Sequence, residues 1–177
     1  MKRLFCAVCC LSLASIPALA QHHHAPATAS AKAPMTDQQF VDFAGQTDMV
    51  EANLGQLAQD AAKSQDVKDY GKMLDTDHTS DYTQLQDAAK QASLTVPTAI
   101  DTEHNKALIG PMHKLKGAAF DHKYISEMIA GHTKAIAVYK QEAQEAQNQV
   151  LKSYAETALP VLQKHLDGAK DLLKKSK

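Results

Sequence analysis

Three observations predict that this chain folds as an all-α four-helix bundle: four apolar stripes of helical period, a composition without tryptophan and poor in aromatics, and one long gap between the second and third stripes. Apolar positions spaced alternately three and four residues apart stay on one face of a helix; a strand, whose side chains alternate, would scatter them over both faces. The abundant Ala, Gln, Lys and Leu are good helix formers. The gap bears on topology, because helices that follow one another directly must run antiparallel, whereas a long connection allows the chain to travel back.

The bundle is preceded by a segment of different character. "MKRLFCAVCCLSLASIPALAQ" has two basic residues, an apolar run from Leu4 to Ile16 and small residues at Ala18 and Ala20. That layout predicts a secretory signal peptide over 1–20, cleaved after Ala20. Its apolar run is too short to span a bilayer, which takes about 20 residues. Phe5, Val8 and Cys9, which precede the three cysteines, are not the small residues a lipoprotein signal needs. Since every cysteine lies in this segment, the exported domain is expected to hold neither disulfide nor thiol and to be stabilised by packing. Residues 21–35, "QHHHAPATASAKAPM", are aperiodic and read as a disordered linker. The triplet His22-His23-His24 within it is either a weak metal trap or a flexible polar tail.

Beyond Ala20 the chain is long enough for one domain with a full core, 36–174. Without Lys2 and Arg3 the 19 basic residues fall to 17 against 20 acidic ones, with no basic stripe, so nucleic acid is not an expected partner. No second apolar run reaches membrane length, and no transmembrane segment is expected after signal cleavage.

The first helix opens at a capping box, Thr36 with Gln39, and carries Phe40, Phe43, Thr47, Val50, Leu54, Leu57 and Ala61. Ser64 is positioned to cap the second helix, whose stripe is Val67, Gly71, Leu74, His78, Asp81, Leu85, Ala88 and Ala92. The third helix, over 118–146, carries Ile125, Ile129, His132, Ile136 and Tyr139, with Met128 and Ala135 beside them. The fourth follows a cap at Asn148 and runs to 174 with Leu151, Ala155, Ala158, Leu162, His165, Ala169 and Leu172. Pro160 inside it removes a backbone hydrogen bond and is expected to bend it.

Residues 93–117 contain Pro97 and Gly110-Pro111 and leave room for one short helix over 101–109. Helices of about 28 residues are ~42 Å long, and a segment of this length can cover that distance. The second and third helices can therefore run parallel, which gives the ferritin-like topology of two antiparallel hairpins and one crossover. A short internal echo agrees: "DVKDY" (66–70) and "VLKSY" (150–154) each open the second helix of a hairpin.

His78, His132 and His165 lie on the apolar stripes of the second, third and fourth helices, each within ~6 Å of axial rise of its helix's midpoint. In a bundle, midpoints meet. Glu51 is at the middle of the first helix, one step from Val50, and Asp75 lies one turn before His78. Three imidazoles and a carboxylate form a first shell suited to zinc, copper or iron. Asp75 is a fifth ligand or an orienting group, Met128 offers a soft ligand that favours copper, and Asp81 is a further acidic candidate. The same pattern equally fits a hydrogen-bonded layer that fixes helix register. His104, His113 and His122 read as surface residues, and "KQEAQEAQ" at 140–147 as a solvated face.

The runs "GQLAQDAAKSQDVKDYGKMLDTDH", "FDHKYISEMIAGH" and "ALPVLQKHL", in this order, resemble the exported family known as domain of unknown function 4142, over about residues 36–172. Members are often labelled predicted outer membrane proteins. The resemblance implies a ferritin-like bundle in the bacterial envelope and no established activity. The carboxylate-bridged di-iron pattern, with Glu-x-x-His on two helices, is not matched: Asp75 precedes His78, Ile129 precedes His132 and Leu162 precedes His165 at that spacing. The leading reading is a non-enzymatic periplasmic or outer-membrane-associated bundle, stress-related or metal-binding, with an envelope partner of unknown kind. Its alternatives are a periplasmic metal-dependent oxidase or peroxidase using the same cluster, and an interaction module in which the histidines only lock packing. No nucleophile constellation, phosphate-binding glycine loop or zinc-protease motif supports another enzyme class.

Overall fold

The structure, a computed structural model, describes residues 35–176. The expected signal peptide and the histidine triplet 22–24 lie outside the described residues. Within them the regular secondary structure is helical, as the stripes predict. Helix α1 (Asp37–Ala61) starts at the expected capping box: the Gln39 amide donates to Thr36 Oγ1 at 3.3 Å and the Thr36 amide to Gln39 Oε1 at 2.9 Å. A tight turn leads into α2 (Gln65–Gln91). Ser64 occupies the cap position, but its hydroxyl caps nothing. The turn is tied down from another helix, since the Lys63 and Ser64 amides both donate to the Asp121 carboxylate at 2.9 Å. An acidic group beside the start of α2 also complements the helix dipole.

Helix α2 ends on Ser93, whose φ of 57° is left-handed, and the Leu94 amide closes the end by donating to the Ala89 carbonyl at 2.8 Å. The chain then returns along α1. Gln38 brackets Thr95, giving a hydrogen bond to its carbonyl and accepting one from its amide, and Gln46 does the same between Ala99 and Asp101. Tyr82 donates to the Pro97 carbonyl at 2.6 Å. These side chains give the crossover backbone the partners it lacks as a non-helical segment.

The crossover's helical part is longer than the sequence suggests. It comprises α3 (Thr102–His104), a π-helical turn (Asn105–Ile109) and α4 (Gly110–His113), so it passes through Gly110-Pro111 instead of stopping at 109. The reason is local: Pro111 sits in the first turn of α4, directly after the widened turn, where the Gly110 amide reaches back five residues to Asn105. Widening there relieves the clash a proline makes with the preceding turn. Ile109 and Met112 are thereby driven into the core.

Helices α5 (Gly117–Glu145) and α6 (Gln149–Lys175) form the second hairpin, with Asn148 Oδ1 capping α6 through the Val150 and Leu151 amides. Gly117 lies beside Ala62, and the Lys175 ammonium meets Asp66 at 2.8 Å. The start of α5 is therefore level with the start of α2, and the end of α6 returns to the same level. That makes α2 and α5 parallel, α1/α2 and α5/α6 antiparallel, and the crossover lengthwise, which is the predicted ferritin-like topology. Pro160 sits on the exposed side of α6, where water can satisfy the carbonyl it leaves free.

Two apolar clusters fill the bundle. One, nearer the α1–α2 turn, holds Leu54, Leu74, Phe120, Tyr124 and Met128; the other holds Phe40, Leu85, Tyr139, Leu151 and Leu162. Each buried large side chain stabilises the fold by roughly 1.5–3 kcal/mol. On α1 the buried face is not centred where the apolar stripe puts it. Phe43, Thr47 and Leu57 are only half-buried, whereas Ala44, Asp48, Glu51, Gly55 and Ala58 are buried. Helix α1 presses on α2 so closely at Gly55 and Gly71 that a Cβ on Gly55 would lie 2.5 Å from the Gly71 carbonyl oxygen. Among the described residues no helix is long and apolar enough to cross a membrane.

Candidate metal centre

Between the two apolar clusters lies one polar layer. His78 follows Leu74 by a turn on α2, His132 follows Met128 on α5, and His165 follows Leu162 on α6; all three imidazoles are buried. Ring centroids are 5.7 Å apart for His78 and His132, 5.1 Å for His78 and His165, and 5.3 Å for His132 and His165. One nitrogen from each ring lies within 4.8 Å of the other two.

The outward nitrogens settle which ones face inward. His132 donates its Nδ1–H to the Met128 carbonyl at 2.9 Å and His165 its Nε2–H to Asp77 Oδ2 at 2.9 Å, which fixes their tautomers. His78 Nδ1 meets Asp48 Oδ1 at 2.9 Å and donates to it when Asp48 is ionised; burial raises the Asp48 pKa well above the usual carboxylate range. A neutral imidazole has only one N–H, so His132 Nε2 and His165 Nδ1 are left as lone pairs, and His78 Nε2 is a third when Asp48 is ionised. His132 Nε2 and His165 Nδ1 are 3.3 Å apart with no proton between them, and His78 Nε2 is buried without a partner.

The rings are held neutral. Burial lowers the pKa of His78 to about 4, against the opposing charges of Asp81 and Asp77. His132 is lowered to about 3, first by burial and then by His78. His165 is lowered to about 4, again chiefly by burial. Three proton-free nitrogens facing one point repel one another and are costly to bury unsatisfied, at about 1–3 kcal/mol per group. A cation at that point removes both penalties.

The predicted acidic ligands lie elsewhere. Glu51 is buried near the layer, but its Oε1 is 4.0 Å from His132 Nδ1, the nitrogen already spent on Met128. Burial, then the charges of Asp48 and Glu127, raise its pKa to about 8. Asp75 is half-buried and accepts from Gln59 Nε2 at 3.4 Å. Met128 contributes its carbonyl to His132 and packs its side chain in the apolar cluster. Asp81 accepts from the Tyr154 hydroxyl at 3.0 Å, which in turn meets the Tyr139 hydroxyl at 3.3 Å. Burial and then the neighbouring Asp48 raise its pKa to about 7.

Sequence reasoning missed Asp48 and Asp77, the two carboxylates that orient rings. Asp48 had a signal: Ala44, Asp48, Glu51, Gly55 and Ala58 are spaced four, three, four and three, a second stripe of small and acidic residues beside the apolar one. Asp77 had none, because only the packing of α2 on α6 shows that the position beside His78 faces His165. His104 is partly exposed on the crossover, where it bonds Asp101, and His113 and His122 are exposed, as expected of surface residues.

A cleft of about 280 Å³ opens between α2 and α6 and is lined by His78 and His165 together with Asp77, Asp81 and Val161.

No curated protein and no solved structure matches this chain. The family model for a domain of unknown function, DUF4142, matches residues 22–172, which take in the bundle up to the last turn of α6 and every histidine of the layer. The chain therefore belongs to the DUF4142 family.

Proposed function

We propose that this protein is an exported envelope protein whose bundle holds one transition metal ion, zinc, copper or iron, on His78, His132 and His165. One observation carries the reading: three neutral imidazoles, each anchored by an oxygen on its far nitrogen, turn proton-free nitrogens to a common point. The 3.3 Å between His132 Nε2 and His165 Nδ1 fits two ligands of one tetrahedral ion, whose nitrogens sit about 3.3–3.4 Å apart when each is ~2.0–2.1 Å from the metal. His78 completes the group, with one ring nitrogen within 4.8 Å of both. Imidazole nitrogen suits all three metals.

Metal analysis of untagged protein, with His22, His23 and His24 replaced by alanine, tests this: the expected result is one ion per chain. Asp77→Ala should lower metal affinity about 10–100-fold, since the imidazole it orients is released. Unchanged affinity by competition with a chromogenic chelator would count against the anchoring role. Asp77 is partly exposed, so this variant is expected to fold.

Export rests on the layout of residues 1–20. The native exported protein should have the mass of a chain beginning at Gln21, because Ala18 and Ala20 are the small residues signal peptidase reads. A mass retaining Met1, or one carrying lipid on a cysteine, refutes it.

A second reading is favoured by the same anchors. The Asp48–His78 bond joins α1 to α2 and the Asp77–His165 bond joins α2 to α6, so the layer also specifies helix register. The stabilities of metal-free and metal-loaded protein separate the two.

A further inference from the structure

Three imidazoles leave a tetrahedral ion one ligand short. Among the described residues, the group that converges on the candidate centre contains only His78, His132 and His165, with no fourth His, Cys, Asp or Glu. The cleft between α2 and α6 is the approach to this group: His78 and His165 line it and His132 does not.

Resting on the metal reading above, we infer that this fourth position is open and takes a small anion that enters through the α2/α6 cleft. Size and charge both select the class. The cleft encloses about 280 Å³, against about 30 Å³ for a water molecule, which admits an anion of a few atoms together with its hydration. One wall is apolar, formed by Ala158, Val161 and Leu162. A divalent ion on three neutral imidazoles keeps its full charge, and that charge is what selects an anion, since of the cleft's own groups Lys164 is offset by Asp77 Oδ2 at 3.9 Å and Asp81 is acidic. Asp77 is already engaged by His165 and does not offer its bonded oxygen to the ion. Hydroxide and azide are of the right class.

Cobalt(II), whose visible spectrum reports its coordination, and azide are the probes. The full chain carrying His22→Ala, His23→Ala and His24→Ala is loaded with one equivalent of cobalt and titrated with azide. The expected result is a saturable change in the visible bands with one azide per metal. Val161 is 41% exposed on the cleft wall, so Val161→Trp can narrow the mouth without disturbing the core. This variant should keep its cobalt stoichiometry and bind azide at least ten-fold more weakly. Ser80→Trp, on the opposite wall and also exposed, should act alike and serves if the first variant misfolds by circular dichroism. Cobalt bound in a His165-dependent way with bands indifferent to azide overturns the open position while leaving the metal reading intact. Azide binding unaffected by either tryptophan overturns the route through the cleft. No cobalt binding at all overturns the metal reading, and this inference with it.

Discussion

Adding zinc(II) or copper(II) at about 100 times its dissociation constant should raise the melting temperature of the His22–His24 alanine variant by about 5–10 °C. A ligand that binds only the folded state stabilises it by about 2.7 kcal/mol at that excess. For a domain of this size each kcal/mol moves the midpoint by roughly 2–4 °C. The tail histidines are removed so that weak binding outside the bundle cannot contribute. His78→Ala should abolish the metal-dependent gain, because two imidazoles remain and neither comes from α2. It should also lower the metal-free midpoint, since the buried Asp48 loses the N–H that satisfies its Oδ1, a loss of about 1–3 kcal/mol. Thermal denaturation followed by circular dichroism, with and without metal, reads both effects. A midpoint indifferent to metal that still falls on mutation would leave the histidine layer a register-fixing network and end the metal proposal.

Gly55→Ala should destabilise the protein by about 1–3 kcal/mol, although alanine is the better helix former by about 1 kcal/mol. A Cβ at this position would stand 2.5 Å from the Gly71 carbonyl oxygen and 2.8 Å from the Asp75 amide nitrogen. Both are backbone atoms of α2, so no side chain can turn aside and α2 itself must retreat. The consequence reaches the candidate centre. Asp48 on α1 and His78 on α2 are held at 2.9 Å by the same helix pair. Separation of the pair lengthens that bond and releases the His78 ring. Metal affinity should therefore fall with stability in Gly55→Ala, although no ligand is altered. Urea denaturation gives the first quantity and chelator competition the second. Stability equal to or above that of the parent would show that the α1–α2 contact is looser than the geometry requires.

The histidine layer illustrates how one feature acts at two levels. Its three rings, with the buried carboxyls of Asp48 and Glu51, lie between two apolar clusters of the core. That interruption costs desolvation, visible in the lowered pKa values of all three rings. The anchoring oxygens of Asp48, Met128 and Asp77 recover part of the cost, but they leave the three inner nitrogens bare. On the metal reading, the unrecovered part is what a bound ion would supply.

The helices, their order and the level of the histidines are legible in the local sequence. Local periodicity and capping carry that information: Thr36 with Gln39 and Asn148 cap the helices they were expected to cap, and alternating spacings of three and four mark the buried faces of α2, α5 and α6. The long connection was enough to make α2 and α5 parallel, because a segment of that length can travel a helix and has few other places to go. How the faces meet is set by packing between the helices. The buried face of α1 centres on Asp48, Glu51 and Gly55, because close approach of backbones at Gly55 and Gly71 rewards small residues, which a count of apolar side chains does not register. Glu51 and Asp75 were expected among the ligands from their helical positions, yet Glu51 reaches the spent nitrogen of His132 and Asp75 turns to Gln59. Asp48 and Asp77 orient rings instead, because each lies on the side of its helix that faces the partner bearing, or bonded to, a histidine. Helix rotation sets that choice, and rotation is fixed by packing between helices rather than by the sequence of any one of them.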